Sequence, residues 1–222
     1  MDEIEELISE RQRAVERVLA KTLSGEKLDC RRGCFYCCYG VTLWGTKLEV
    51  LHLVRELNRL DLKTRKAVSL RIKRYLKLYY EAYSHLGTDN PYGPAGREDL
   101  SAEVMGKIGT IYLNEEPCPF LEEKKGECRV YEARPLMCRL TVFTDSRVCK
   151  KDWENPLSGI WFREIRPFVD GVREKFFSSW KIEALRLGIK EDEDALYFIP
   201  AFIYFDPVRK RFRFREKVPR SP

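Results

Sequence analysis

At 222 residues, with 44% hydrophobic and 34% charged residues and a formal net charge of +6, the chain is long enough to bury a hydrophobic core without covalent staples. Charges of both signs favour solubility and leave only weak general attraction toward acidic partners. No apolar run approaches the roughly 20 residues of a membrane helix, and Met1-Asp2-Glu3-Ile4-Glu5-Glu6 is acidic where a secretory leader needs a cationic and then apolar start, so the expected compartment is the cytoplasm.

The chain opens on Ile4, Leu7, Ile8, Val15, Val18 and Leu19 at helical spacing, which predicts an amphipathic helix from Asp2 to Leu23, ending near Ser24-Gly25. Asp29 to Gly40 is too rich in cysteine and glycine for regular structure. From Thr46 onward Leu48, Leu51, Leu53, Val54, Leu57 and Leu60 repeat helically, with Thr46 as N-cap and Glu49 at the third position of a capping box. A longer helix is expected from Lys63 to Leu86, carrying Val68, Ile72, Tyr75, Leu76, Tyr79 and Tyr83 inward and its lysines and arginines on a solvated face. Gly87 to Gly96 reads as a loop and Asp99 to Leu113 as a helix. Short segments broken by Gly126 and Pro135 follow, and then a helix over Ile165 to Leu187. Ala195 to Lys217 predicts two strands, Leu196 through Phe205 and Arg211 to Lys217, around a turn at Asp206-Pro207. In the second of these strands Arg211, Arg213 and Arg215 alternate with Phe212 and Phe214, so one face is aromatic and the other cationic. A half-buried strand explains this alternation better than a nucleic-acid platform does. The expected architecture is α+β but mostly α: a single helical domain over 1–222 with irregular cysteine-rich loops and a C-terminal β-hairpin.

Eight cysteines fall in two groups. Cys30, Cys34, Cys37 and Cys38 lie within nine residues, and Cys118, Cys128, Cys138 and Cys149 are spread more widely. In a reducing compartment clustered thiols point to metal ligation or redox chemistry, with a disulfide framework as the competing explanation. Thiolates two or three residues apart can converge on one ion at the ~2.3 Å of a zinc–sulfur bond, whereas adjacent thiols point apart. Cys37 beside Cys38 therefore suggests two neighbouring ions, or one ligand and one supporting thiol. Arg31, Arg32, Arg129, Arg134 and Arg139 lie close in sequence to these cysteines and could offset thiolate charge, although each is also an ordinary surface residue type. Thiolates accept iron and zinc alike, so ligand type leaves the metal open.

The ordered set Cys30, Cys34-Phe35-Tyr36-Cys37-Cys38, Glu49, Cys118-Pro119-Phe120-Leu121 and Cys128-Arg129-Val130-Tyr131-Glu132-Ala133-Arg134-Pro135-Leu136-Met137-Cys138-Arg139 resembles the CxxCxxCC family, the YkgJ-type cysteine-cluster proteins. The resemblance covers roughly residues 30–149, and it departs from the family in one place: three residues, where two are usual, separate Cys30 from Cys34. It implies metal binding by all eight cysteines, with an iron–sulfur cluster, of the 4Fe–4S kind, as the commoner cofactor and zinc as the alternative. One branch resembles flagellin lysine N-methylase, which would imply S-adenosylmethionine as methyl donor, yet no glycine-rich nucleotide loop follows a strand here. The spacing Cys30-x3-Cys34-x2-Cys37 also matches radical S-adenosylmethionine enzymes, but the βα alternation of their barrel is missing.

The expected function is thus that of an iron–sulfur protein with a redox or enzyme-supporting role. The alternatives are a non-enzymatic zinc module that orders a surface for an unidentified protein partner, and a lysine N-methylase-like enzyme. Neither a membrane nor a nucleic acid is an expected partner. His52 and His85 lie far in sequence from both cysteine groups and read as structural or surface residues. Glu49 and Asp145 become general bases only if the fold brings them to the metal, and for Glu49 the helix cap competes with that role. Tyr131 and Pro135 read as supports of the ligand loop, and Trp153, Trp161 and Trp180 as core or cover.

Overall fold

The computed structural model describes residues 6–10, 13–15, 17, 33–39, 43–84, 116–140, 147, 150 and 197–215. The loop expected at 87–96, the helices at 99–113 and 165–187, Cys30, Cys149, Arg31, Arg32, His85, Asp145 and the three later tryptophans lie outside these residues. At the start of the chain 6–10, 13–15 and 17 are helical, and Ile8 and Val15 are buried, as the amphipathic pattern requires.

Helix α1 spans Lys47–Arg59 and begins on a complete capping box: Glu49 N–H donates to Thr46 Oγ1 at 3.3 Å, and Thr46 N–H donates to Glu49 Oε2 at 2.7 Å. Its apolar face buries Leu48, Leu53 and Leu57 completely, each contributing about 1.5–3 kcal/mol of hydrophobic stabilisation. Helix α2, Leu62–Ser84, follows after a short connection in which the Asp61 carboxylate accepts the Thr64 N–H at 3.0 Å. Val68, Ile72, Tyr75 and Tyr79 form its buried stripe, and it begins within one residue of the predicted start.

Three two-stranded antiparallel pairs join these helices. Strand β1, Trp44–Gly45, pairs with β4, Tyr197–Phe198; β2, Leu121–Glu122, pairs with β3, Glu127–Cys128; and β5, Ile203–Asp206, pairs with β6, Arg211–Phe214. Helix α3 is the short Leu136–Leu140 segment, and α4 is a single turn, Ile199–Phe202. The C-terminal hairpin is present at the expected place, but the long first strand expected from Leu196 to Phe205 is not. Pro200, at the start of α4, has no N–H for a ladder, and the chain coils for one turn there. The strand is thereby split: Tyr197–Phe198 reaches back to Trp44–Gly45 just before α1, and Ile203–Asp206 enters the hairpin.

Phe198 is the meeting point of the core. Its ring lies 3.8 Å from Tyr79, 6.1 Å from Tyr75 and 5.3 Å from Trp44, centroid to centroid, so one side chain ties α2 to both strands of the β1–β4 pair. In β6 the alternation resolves as the half-buried strand: Phe212 is wholly buried and Arg211 exposed. Asn58 holds this strand to α1 with a two-way clamp, Nδ2 donating to Phe212 O at 3.0 Å and Oδ1 accepting Phe212 N–H at 2.7 Å.

Glu49 does more than cap its own helix. Its second oxygen, Oε1, accepts the N–H of Leu136, the first residue of α3. Pro135 has no N–H to offer, so Leu136 carries the leading orphan donor of that helix. One buried carboxylate thus satisfies two helix starts. In Glu49→Gln one oxygen becomes an NH2 group facing a backbone N–H, and the expected loss is about 1–3 kcal/mol of unfolding free energy. A urea midpoint unchanged at constant slope would show that the shared carboxylate does not hold the two helices.

Candidate metal centre

The first cysteine group enters the structure through a turn at Gly33, whose φ is +92°, and a 3-10 turn, Tyr36–Cys38, in which Cys38 N–H donates to Phe35 O at 2.8 Å. Of the second group, Cys118 lies just before β2, Cys128 ends β3 and Cys138 sits in α3. The two groups are joined directly, since Cys118 N–H donates to Cys38 O at 2.7 Å. They also meet at the hairpin turn. Gly126 has φ +65°, and a Cβ there would stand 2.8 Å from Gly33 O and 3.0 Å from Phe35 Cδ1, whereas a Cβ on Gly33 would meet nothing within 4 Å. Only glycine lets the hairpin come this close.

None of the six described cysteines is in a disulfide; Cys118 is buried, and Cys34, Cys37, Cys38, Cys128 and Cys138 are half-buried. Five of them form one electrostatic group. The Cys38 thiol donates to Cys37 sulfur, which pulls the Cys37 pKa down and pushes that of Cys38 far up; burial and repulsion from Cys37, Cys118 and Cys138 add to the rise at Cys38. Burial raises Cys118 well above the thiol range, with Cys128 and Cys138 repelling it further. Burial also raises Cys128, and pushes Cys138 up to about 12 with help from Cys37 and Cys128. The Tyr75 hydroxyl, raised by burial and then by Cys118 and Cys138, marks where α2 backs this group.

Several features favour thiolate at these positions. Phe120 N–H bonds to Cys118 sulfur and Val130 N–H to Cys128 sulfur, so two thiols receive the amide two residues further on. Such amides lower the cost of a buried negative sulfur. Arg134 lowers the pKa of Cys37, Cys128 and Cys138, and lies 3.8 Å over the Tyr131 ring. Arg139 is buried and is the loop's internal brace, Nη2 donating to Glu132 O at 2.7 Å and Nε to Arg134 O at 3.2 Å. Arg129 forms an ion pair with Glu122 across the hairpin.

Sequence reasoning missed Arg71. It was expected on the solvated face of α2, but it is buried, donating through Nη1 to Leu121 O and through Nη2 to Cys118 O at 3.2 Å while pairing with Glu123 at 3.2 Å. Its place one turn from Tyr75 on the helix face that meets the second cysteine group is the signal that could have found it. His52 is buried within α1, in keeping with a structural role. Among the described residues no three cysteine, histidine, aspartate or glutamate side chains stand close enough together to hold one ion as placed. The donor chemistry nevertheless fits a thiophilic metal: thiols of both groups share one region, two accept backbone amides, and arginines lie beside them.

A family model matches residues 29–157, more than half of the chain; the family is CxxCxxCC, described as "Putative zinc- or iron-chelating domain". No curated protein and no solved structure gives a significant match.

Two outcomes test this geometry. Gly126→Ala should force the hairpin away from Gly33 and lower the metal held per chain, whereas Gly33→Ala should cost only the left-handed backbone, about 1 kcal/mol. Equal metal content in the two variants would count against the close approach. The second outcome concerns pH. In the metal-free, reduced protein Cys38, Cys118, Cys128 and Cys138 are raised above the ordinary thiol value of 9.0, so the unfolded chain loses these protons first. Their contribution is intact below about pH 9 and is lost as pH climbs toward their folded values, with Cys37 opposing the trend. Urea midpoints should therefore fall between about pH 7.5 and about pH 10; a flat profile would contradict the burial of these thiols.

Proposed function

We propose that this chain, which belongs to the CxxCxxCC family, is an iron–sulfur protein whose cluster is held by cysteines from both sequence groups and serves a redox or enzyme-supporting role. The observation that carries the reading is the mutual electrostatic coupling of Cys37, Cys38, Cys118, Cys128 and Cys138 in one region. A cubane cluster and a tetrahedral zinc ion each take four thiolates, and the five thiols here supply four with one to spare. In the iron–sulfur reading Cys118, Cys128 and Cys138 hold the cluster together with a thiol of the Cys37–Cys38 pair. Cys37 and Cys38 stand in hydrogen-bond contact, so one of this pair is a ligand and the other a supporting thiol, the kind of contact that sets a cluster's potential. A bound cluster would supply reversible one-electron transfer. Arg134 and Arg139 offset the thiolate charge, and Arg71 holds the Cys118 turn against α2.

A zinc module is the second reading, favoured by the two amide-to-sulfur bonds at Cys118 and Cys128, which recur two residues on from each thiol and suit a structural thiolate site equally well. Purification without air, followed by visible absorption and analysis for iron, acid-labile sulfide and zinc, separates the two. The expected result is a coloured protein with iron and sulfide in comparable amounts. A colourless protein that carries only zinc overturns the iron–sulfur reading.

A further inference from the structure

The outward face of α2 is cationic. Asp61 caps the head of α2 with its carboxylate, as the helix dipole favours, but within the first turns Lys63, Arg65 and Lys66 follow with no acid among them. Positions 63, 66, 67, 70, 73, 74 and 77 are all exposed and share one side of the helix. They carry Lys63, Lys66, Lys73, Arg74 and Lys77 and no acid. Arg74 pairs with Glu116 at 3.3 Å and Lys77 with Glu81 at 3.7 Å, both toward the later half of the helix. Like charges three or four residues apart each cost a few tenths of a kcal/mol, and Lys63 beside Lys66 bears that cost with no ion pair of its own among the described residues, at the exposed head of this face.

In the middle of the cations lies an apolar floor. Leu70 is 62% exposed, and with Leu62, Ala67 and the stems of Lys63 and Lys66 it lines an open depression of about 590 Å³. A single exposed leucine is ordinary, but here it sits in a shallow apolar patch edged by lysines, the layout of an apolar contact surrounded by charge. We propose that this face docks an acidic amphipathic segment of a partner protein. An aliphatic side chain of that segment seats against Leu62, Ala67 and Leu70, and its carboxylates face Lys63, Lys66 and Lys73. Charge complementarity sets the sign of the partner, and the aliphatic floor favours a peptide over a phosphodiester backbone, which would make no use of Leu70. An anionic segment also relieves the repulsion that the helix otherwise bears. This surface is built without any cysteine and does not depend on which metal the chain holds.

The test uses the full chain, purified with its metal, and a fluorescein-labelled synthetic helix with leucines at i, i+3 and i+7 and glutamates on the flanking positions. Fluorescence anisotropy should report binding that weakens about tenfold or more in Leu70→Glu and in the double variant Lys63→Glu/Lys66→Glu, and that falls as salt rises past about 0.15 M. Leu70→Ala, which keeps the helix and removes only the anchor surface, should weaken it as well. Metal content should stay the same in every variant. The proposal is overturned if the peptide fails to bind at up to about 1 mM, if Leu70→Ala and Leu70→Glu bind as the unaltered chain does, or if polyglutamate or a single-stranded oligonucleotide of equal charge binds as tightly as the leucine-bearing helix.

Discussion

The buried carboxylate of Glu49 is the constraint around which the described structure is arranged. A lone carboxylate at 4% exposure would cost several kcal/mol of desolvation. Here each oxygen accepts a backbone N–H, one from Thr46 at the head of α1 and one from Leu136 at the head of α3. Charge-assisted bonds of this kind are roughly twice as strong as neutral ones, and each also removes an orphan donor. Because α3 carries Cys138, the helix that caps itself also fixes where a thiol of the second group stands.

Buried arginines play the complementary part. Arg71 grips the carbonyls of Cys118 and Leu121 from α2, and Arg139 grips those of Tyr131, Glu132 and Arg134 from within the loop. Irregular loops leave carbonyls without ladder partners, and a guanidinium supplies several donors in a fixed fork. The same cations stand near buried thiols, so the groups that shape the loop also make negative sulfur less costly. Loop geometry and thiol chemistry share residues here, and neither can be altered without the other.

Much of this was legible in the residues themselves. The helical stripe of α2, the Thr46–Glu49 capping box, the phenylalanine–arginine alternation of β6 and the cysteine groups are local patterns, each set by neighbours within a few positions. What escaped was what distance in the chain conceals. Nothing near Glu49 announces that its second oxygen serves Leu136, 87 residues away, and nothing near Arg71 distinguishes it from the lysines around it except the face it occupies. The expected first strand, Leu196 through Phe205, runs across Pro200, whose missing N–H marks the place where the strand divides. Within the site, the cysteines of both groups were legible as candidates, while the hydrogen bond between Cys38 and Cys118, which joins the groups, depends on the tertiary fold.

The pairing of Trp44 with Phe198 bears on the order in which the protein is made. Closing a loop of about 150 residues costs on the order of 4 to 5 kcal/mol of chain entropy, and Phe198, whose ring completes the stack with Tyr75 and Tyr79, leaves the ribosome long after both cysteine groups have emerged. During synthesis the thiols are therefore present before the aromatic wall that backs them is complete. For that interval they belong to an unfinished core, more open to oxidants than in the finished fold.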